Sequence, residues 1–146
     1  MGMGGTGVGG TDVGAGARAT SLADRVRAAD ALGEGMCPQR LVMEHVTSRW
    51  GTLVLIALLE RSYRFGELRR EIGRVSEKML TQTLQTLERD GLVHRDAKPV
   101  IPPRVDYSLT DLGREAAEQV RSVALWAERR MTAIQRAREE YDSAKS

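Results

Sequence analysis

Between Ser76 and Gly91 the chain carries two opposite stripes on one helical repeat, and this pairing constrains the fold more than any other stretch. Leu80, Leu84 and Leu87 follow the i, i+4, i+7 rhythm of a helix resting on a core. Lys78, Gln82, Gln85 and Arg89 line the other face. Ser76 is a good N-cap, Glu77 suits the positive end of the helix dipole, and Gly91 stops the helix after Asp90. The Glu or Gln three residues after Ser76 that would complete a capping box is absent. Lysine and arginine meet phosphates, and glutamine presents a donor and an acceptor together, as an adenine edge in the major groove requires. An ordinary solvated face would more often be rich in Glu and Lys with i,i+4 pairs. On the helix alone, DNA contact and simple solvation stand level.

The flanks tip that balance. Phe65, Leu68 and Ile72 are spaced i, i+3, i+7, which predicts a short amphipathic helix over 65–72, and Gly73 can close it in a left-handed conformation. After Gly91 the period becomes alternating, with one strand from Leu92 to Lys98 and another from Val105 to Leu109. The loop between them holds three prolines and is flanked by Lys98 and Arg104, a stiff tip suited to the DNA backbone or the minor groove. Ahead of this block, helices are expected over 22–32, weakly patterned, over 38–47 with Pro38 at a favoured first position, and over 50–59, nearly all apolar, with Trp50 in the core. The expected fold class is mainly α with a small β-hairpin: a winged helix-turn-helix with a long C-terminal dimerisation helix.

That last helix starts after Thr110, a plausible N-cap, and its apolar stripe steps through Leu112, Ala116, Val120, Val123, Ala127, Met131 and Ile134. A small winged domain cannot cover so long a stripe with its own core. A second copy of the chain is the simplest cover, with Val120, Val123, Ala127, Met131 and Ile134 as the dimerisation surface.

Charge is more telling by region than in total. The 146-residue chain has a formal charge of only +2, yet the stretch from Arg61 to Arg104 holds ten basic residues against six acidic, so positive charge gathers where DNA contact needs it. The length fits a flexible glycine-rich tail over 1–21 and one domain over 22–146. No apolar run approaches the ~20 residues of a membrane span, and Met1 to Ala17 has no hydrophobic segment of a signal peptide, so a cytoplasmic protein is expected. His45, His94 and Cys37 are the only residues of their kinds, which leaves no zinc-ligand spacing, and no phosphate loop ends in Gly-Lys-Ser/Thr. Neither an enzyme nor a metal or cofactor is expected. The competing reading from another class is a winged helix used as a protein-interaction module without DNA binding.

Four segments together resemble a known family: Arg64-Phe65-Gly66-Glu67-Leu68, Ser76-Glu77-Lys78-Met79-Leu80-Thr81, Leu87-Glu88-Arg89-Asp90-Gly91-Leu92-Val93 and Pro102-Pro103-Arg104-Val105-Asp106-Tyr107-Ser108-Leu109-Thr110. They are similar to the HxlR-type transcriptional regulators, a branch of the MarR-like winged-helix proteins, over roughly Cys37 to Ala127. The chain departs from that pattern at Gly73-Arg74-Val75, where the family usually has Pro-Gly-Ile, and at Thr47-Ser48-Arg49, where it usually has Gly-Gly-Lys. The resemblance implies a homodimer, more a repressor than an activator, on an inverted-repeat operator in double-stranded DNA, and it leaves room for a small-molecule effector. In that frame Ser76, Lys78, Thr81, Gln82 and Gln85 would meet the major groove, Arg74 and Arg89 phosphates, and Lys98 and Arg104 would lie in or beside the minor groove. Cys37, just before a helix start, would sit at the positive end of a dipole that favours thiolate. Several members of the family sense oxidants with a cysteine at the matching position, which makes Cys37 the candidate redox sensor; the alternative is a small buried hydrophobe.

Overall fold

The structure, a computed structural model, describes residues 21–30 and 38–146. The chain divides into two compact units between Met43 and Glu44. In the first, α1 (Leu22–Asp30) opens with a reciprocal cap: the Asp24 N–H donates to the Ser21 hydroxyl at 3.1 Å and the Ser21 N–H to the Asp24 carboxylate at 3.4 Å. These bonds from Ser21, helped by Arg27, hold the Asp24 carboxyl below its ordinary range. Helix α2 (Pro38–Thr47) begins at its proline and runs across the boundary.

The second unit is built around α3 (Arg49–Glu60), which packs on α4 (Phe65–Ile72), α5 (Glu77–Arg89) and α6 (Asp111–Arg129). Ser48 separates α2 from α3 by capping: its hydroxyl donates to the His45 carbonyl at 2.9 Å and accepts from the Gly51 N–H at 3.1 Å. Val54, Leu55 and Leu58 of α3 meet Leu68 of α4 and Leu80, Leu84 and Leu87 of α5 in one core. Each such leucine contributes about 1.5–3 kcal/mol relative to exposure. Trp50 is only half-buried at the edge of this core, with the Arg49 guanidinium 4.5 Å from its ring centre.

Three antiparallel strands cover one side in the order β1 (Tyr63–Arg64), β3 (Arg104–Leu109), β2 (Val93–Lys98). The β2–β3 hairpin is in register from Val93 opposite Leu109 to Lys98 opposite Arg104, and β1 adds Tyr63 opposite Tyr107. The hairpin matches the expected wing, while β1, two residues long, was not foreseen. This is a winged helix-turn-helix. The expected single long C-terminal helix is instead two, α6 and α7 (Met131–Lys145), because Arg130 leaves helical geometry at φ −102°, ψ 9°.

A backbone joint fixes the start of α6 to the end of α5. The Thr110 hydroxyl donates to the Gly91 carbonyl at 2.6 Å and accepts from the Gly113 N–H at 2.9 Å, while the Thr110 N–H donates to the Leu92 carbonyl at 3.1 Å. Gly113 lies so close to Leu92 that a Cβ there would fall 1.8 Å from the Leu92 oxygen. Gly91 takes a φ of 78°, which turns the chain out of α5 at the place the glycine implied.

Candidate nucleic-acid interface

Three fixings aim α5 outward. At its N-terminus the Ser76 hydroxyl accepts from the Met79 N–H at 3.0 Å, so part of Ser76's expected role in base contact is taken by capping, although the hydroxyl proton remains to donate. The turn before it is held by Arg69, whose Nε donates to the Val75 carbonyl at 2.8 Å and whose guanidinium lies 3.6 Å from Glu77. Val75 itself is buried, so the substitution of this turn relative to the family pattern leaves an apolar anchor inside and Arg74 exposed. At the C-terminus His45 Nδ1 meets the Asp90 carboxylate at 2.6 Å, a link from α2 to the end of α5. Neither the Arg69 clasp nor the His45 link was foreseen, because each joins residues whose sequence spacing carries no periodic signal.

With its leucines inside, α5 turns Lys78, Thr81, Gln82, Gln85 and Arg89 to solvent. Among the described residues, no side-chain hydrogen bond or ion pair engages Lys78, Gln82 or Gln85. A groove lined by Phe65, Thr81, Gln85, Glu88, Arg95 and Tyr107 separates this face from the wing, and a second, lined by Arg69, Arg70, Arg74 and Ser76, runs along the turn. The stripe and the wing therefore flank one concave surface.

The wing cations differ from those of the helix. Lys98 Nζ pairs with Asp96 at 2.6 Å, and Arg104 Nε with Asp106 at 2.9 Å. The hydrogen bond from Arg104 holds the Asp106 carboxyl below its ordinary range, and the bonds to Asp96 and Asp106 raise Lys98 and Arg104 respectively. Lys98 and Arg104, expected to flank a tip that meets the DNA backbone or minor groove, are exposed but already partnered. Between them Ile101 projects fully into solvent.

A second surface lies on the last two helices. Val120 is 7% exposed and belongs to the chain's own core, Ala116 is half-buried, and Leu112 at the start of the stripe is exposed, so the core covers only the middle of the stripe before it opens again beyond Val120. Val123 is 64% and Trp126 52% exposed, Met131 is also exposed, and Ala127 and Ile134 are half-buried. Cys37 lies outside the described residues. Among the described residues no group of His, Cys, Asp and Glu could hold a metal ion, and no helix is long and apolar enough to cross a membrane.

Residues 45–135 match the model of the HxlR-like helix-turn-helix family. The chain belongs to that family. The chain is similar to the HTH-type transcriptional regulator YtfH of Escherichia coli (strain K12), 49% identical over 82% of this chain and 94% of the relative. Among solved structures, the transcriptional regulator ytfH from Salmonella typhimurium is 50% identical, covers 70% of this chain and 92% of its own, and superposes with a TM-score of 0.67. The redox regulator HypR in its reduced form is 31% identical over 67% of this chain and 97% of its own, with a TM-score of 0.62. The HxlR-like match spans the helix-turn-helix, the wing and the start of α7, so both surfaces described above fall inside it. The protein is a transcriptional regulator of the helix-turn-helix type.

Proposed function

We propose that the protein is a cytoplasmic, homodimeric, sequence-specific DNA-binding repressor. The observation that carries this reading is the exposed, unpartnered stripe of Lys78, Gln82 and Gln85 on a helix fixed at both ends. A groove-entering helix needs that combination of rigidity and free donors and acceptors. Thr81 and the free proton of Ser76 extend the base-reading edge, and Arg74 and Arg89 lie where phosphates would pass. Val123, Ala127, Met131 and Ile134, with Trp126, supply an apolar seam for a second copy, which would place two recognition helices about 10 bp apart on an inverted repeat. Redox control through Cys37 is supported by the position before α2 and by the similarity to a protein titled a redox regulator. Diamide would then release the wild-type complex and spare that of Cys37→Ser.

The deciding experiment is selection of duplexes from a random library by the wild type and by Lys78→Ala/Gln82→Ala/Gln85→Ala. The wild type should enrich an inverted repeat, and loss of each glutamine should remove about 1–3 kcal/mol of discrimination where a bidentate base contact is lost. Equal enrichment by both proteins overturns the reading. Failure of the wild type to bind any duplex at low salt would point to a protein-interaction module instead.

A further inference from the structure

The four charged residues near the wing tip share one face and are sorted by sign along it. Asp96 stands opposite Asp106, and Lys98 opposite Arg104, one alternation further toward the tip. Across the strands like therefore faces like, an arrangement that strand pairing disfavours. Along each strand opposite signs pair instead, Asp96 with Lys98 and Arg104 with Asp106. Arg64 of β1 stands opposite Asp106 on its other side, so the carboxylate row is itself bounded by a cation. The result is a cationic tip backed by an acidic row.

This geometry has a specific consequence for Arg104. Asp106 accepts from Nε, which neutralises the net charge but leaves the guanidinium's terminal nitrogens as directional donors. A passing phosphate competing for the same guanidinium gains only the difference between itself and the carboxylate. A groove edge that needs a donor in one direction still finds one.

We propose that Asp96 and Asp106 are specificity-determining residues of the DNA interface, holding Lys98 and Arg104 in internal ion pairs that offset the attraction of each cation for undifferentiated phosphate. The wing then adds little to binding of random sequence and engages fully only where α5 has docked. This rests on the DNA-binding reading above. The hydrogen bond that lowers Asp106 keeps that carboxyl ionised at neutral pH, as the pairing requires.

The experiment measures affinity of the full chain for a random-sequence duplex and for the best duplex selected from a library, between about 50 and 200 mM salt. Asp106→Asn, which keeps the shape and removes the charge, should bind the random duplex about two- to fivefold more tightly at low salt, the scale of one exposed ion pair. Its salt slope should steepen by about one, one more phosphate contact, and its preference for the selected duplex should narrow. Asp96→Asn, acting through Lys98, should do the same independently. In an Arg104→Ala background Asp106→Asn should give a clearly smaller gain, the remainder coming from Arg64 and the lost negative charge. Glu88→Gln, which removes one negative charge from exposed α5 outside either pair, should give a smaller gain than Asp106→Asn. Unchanged or weakened random-duplex binding by both aspartate variants overturns the proposal. So does an equal gain without Arg104, or an equal gain from Glu88→Gln, since either would reduce the effect to bulk charge. A wild type that selects duplexes while the aspartate variants behave like it sinks this proposal alone; a wild type that binds none sinks the DNA reading with it.

Discussion

Helices α5 and α6 carry apolar stripes of the same spacing and meet opposite fates. On α5, Leu80, Leu84 and Leu87 are all at most 1% exposed, covered by α3 and the sheet of the same chain. On α6 the buried face of Gly113, Ala117 and Val120 ends at Val120, Leu112 at the helix start is already 54% exposed, and beyond the core Val123 and Trp126 lie in solvent. Periodicity reports that a helix has a face to bury, and it is silent about what buries it. The difference follows from reach: α3 is 12 residues long and α6 is 19, so the outer turns of α6 extend past the core that holds its start.

The largest effect should come from the covered stripe. Leu84→Ala leaves a cavity in a fully packed site and should cost about 2–5 kcal/mol in urea denaturation. A loss below about 1 kcal/mol would mean that the α5 face is less tightly held than its burial implies. Val123→Glu should leave the fold intact while weakening self-association at least about tenfold, read by sedimentation across a concentration series, because a charge in an apolar seam has no partner there. A wild type that sediments as a monomer at micromolar concentration would break the comparison outright, since both stripes would then be single-chain features. The smallest effect tests the fixing of α5. Ser76→Ala removes the bond to the Met79 N–H and should cost about 1 kcal/mol of stability. An unchanged unfolding midpoint would show that the Arg69 clasp alone holds the turn.

The helix-turn-helix and the wing were legible because their signals are local: Ser76 and Thr110 cap where their residue types say they should, and Gly73 and Gly91 both take positive φ at helix ends. Strand β1 escaped because two residues cannot show alternation. The break at Arg130 escaped because no Gly or Pro marks it, and the apolar stripe continues through Met131 and Ile134. The exposed edge of α5 could be read from leucine spacing alone. The partners of Lys98 and Arg104 have a different kind of signal: Asp96-x-Lys98 and Arg104-x-Asp106 are i, i+2 pairs, which a strand places on one face. That signal was available once the strands were assigned. The His45–Asp90 link joins positions 45 residues apart and left no trace in the local pattern.

Gly113 gives the molecule a property that side-chain drift cannot alter. With the Leu92 oxygen where a Cβ would stand, the approach of α6 to the end of α5 is set by main chain against main chain, and any other residue at 113 must push the two apart. Side chains elsewhere on α6 can change, but the angle at which that helix leaves the end of α5 is set through the backbone. Were two copies to join through α6, each would carry its α5 at an angle set by this main-chain contact rather than by exchangeable side chains.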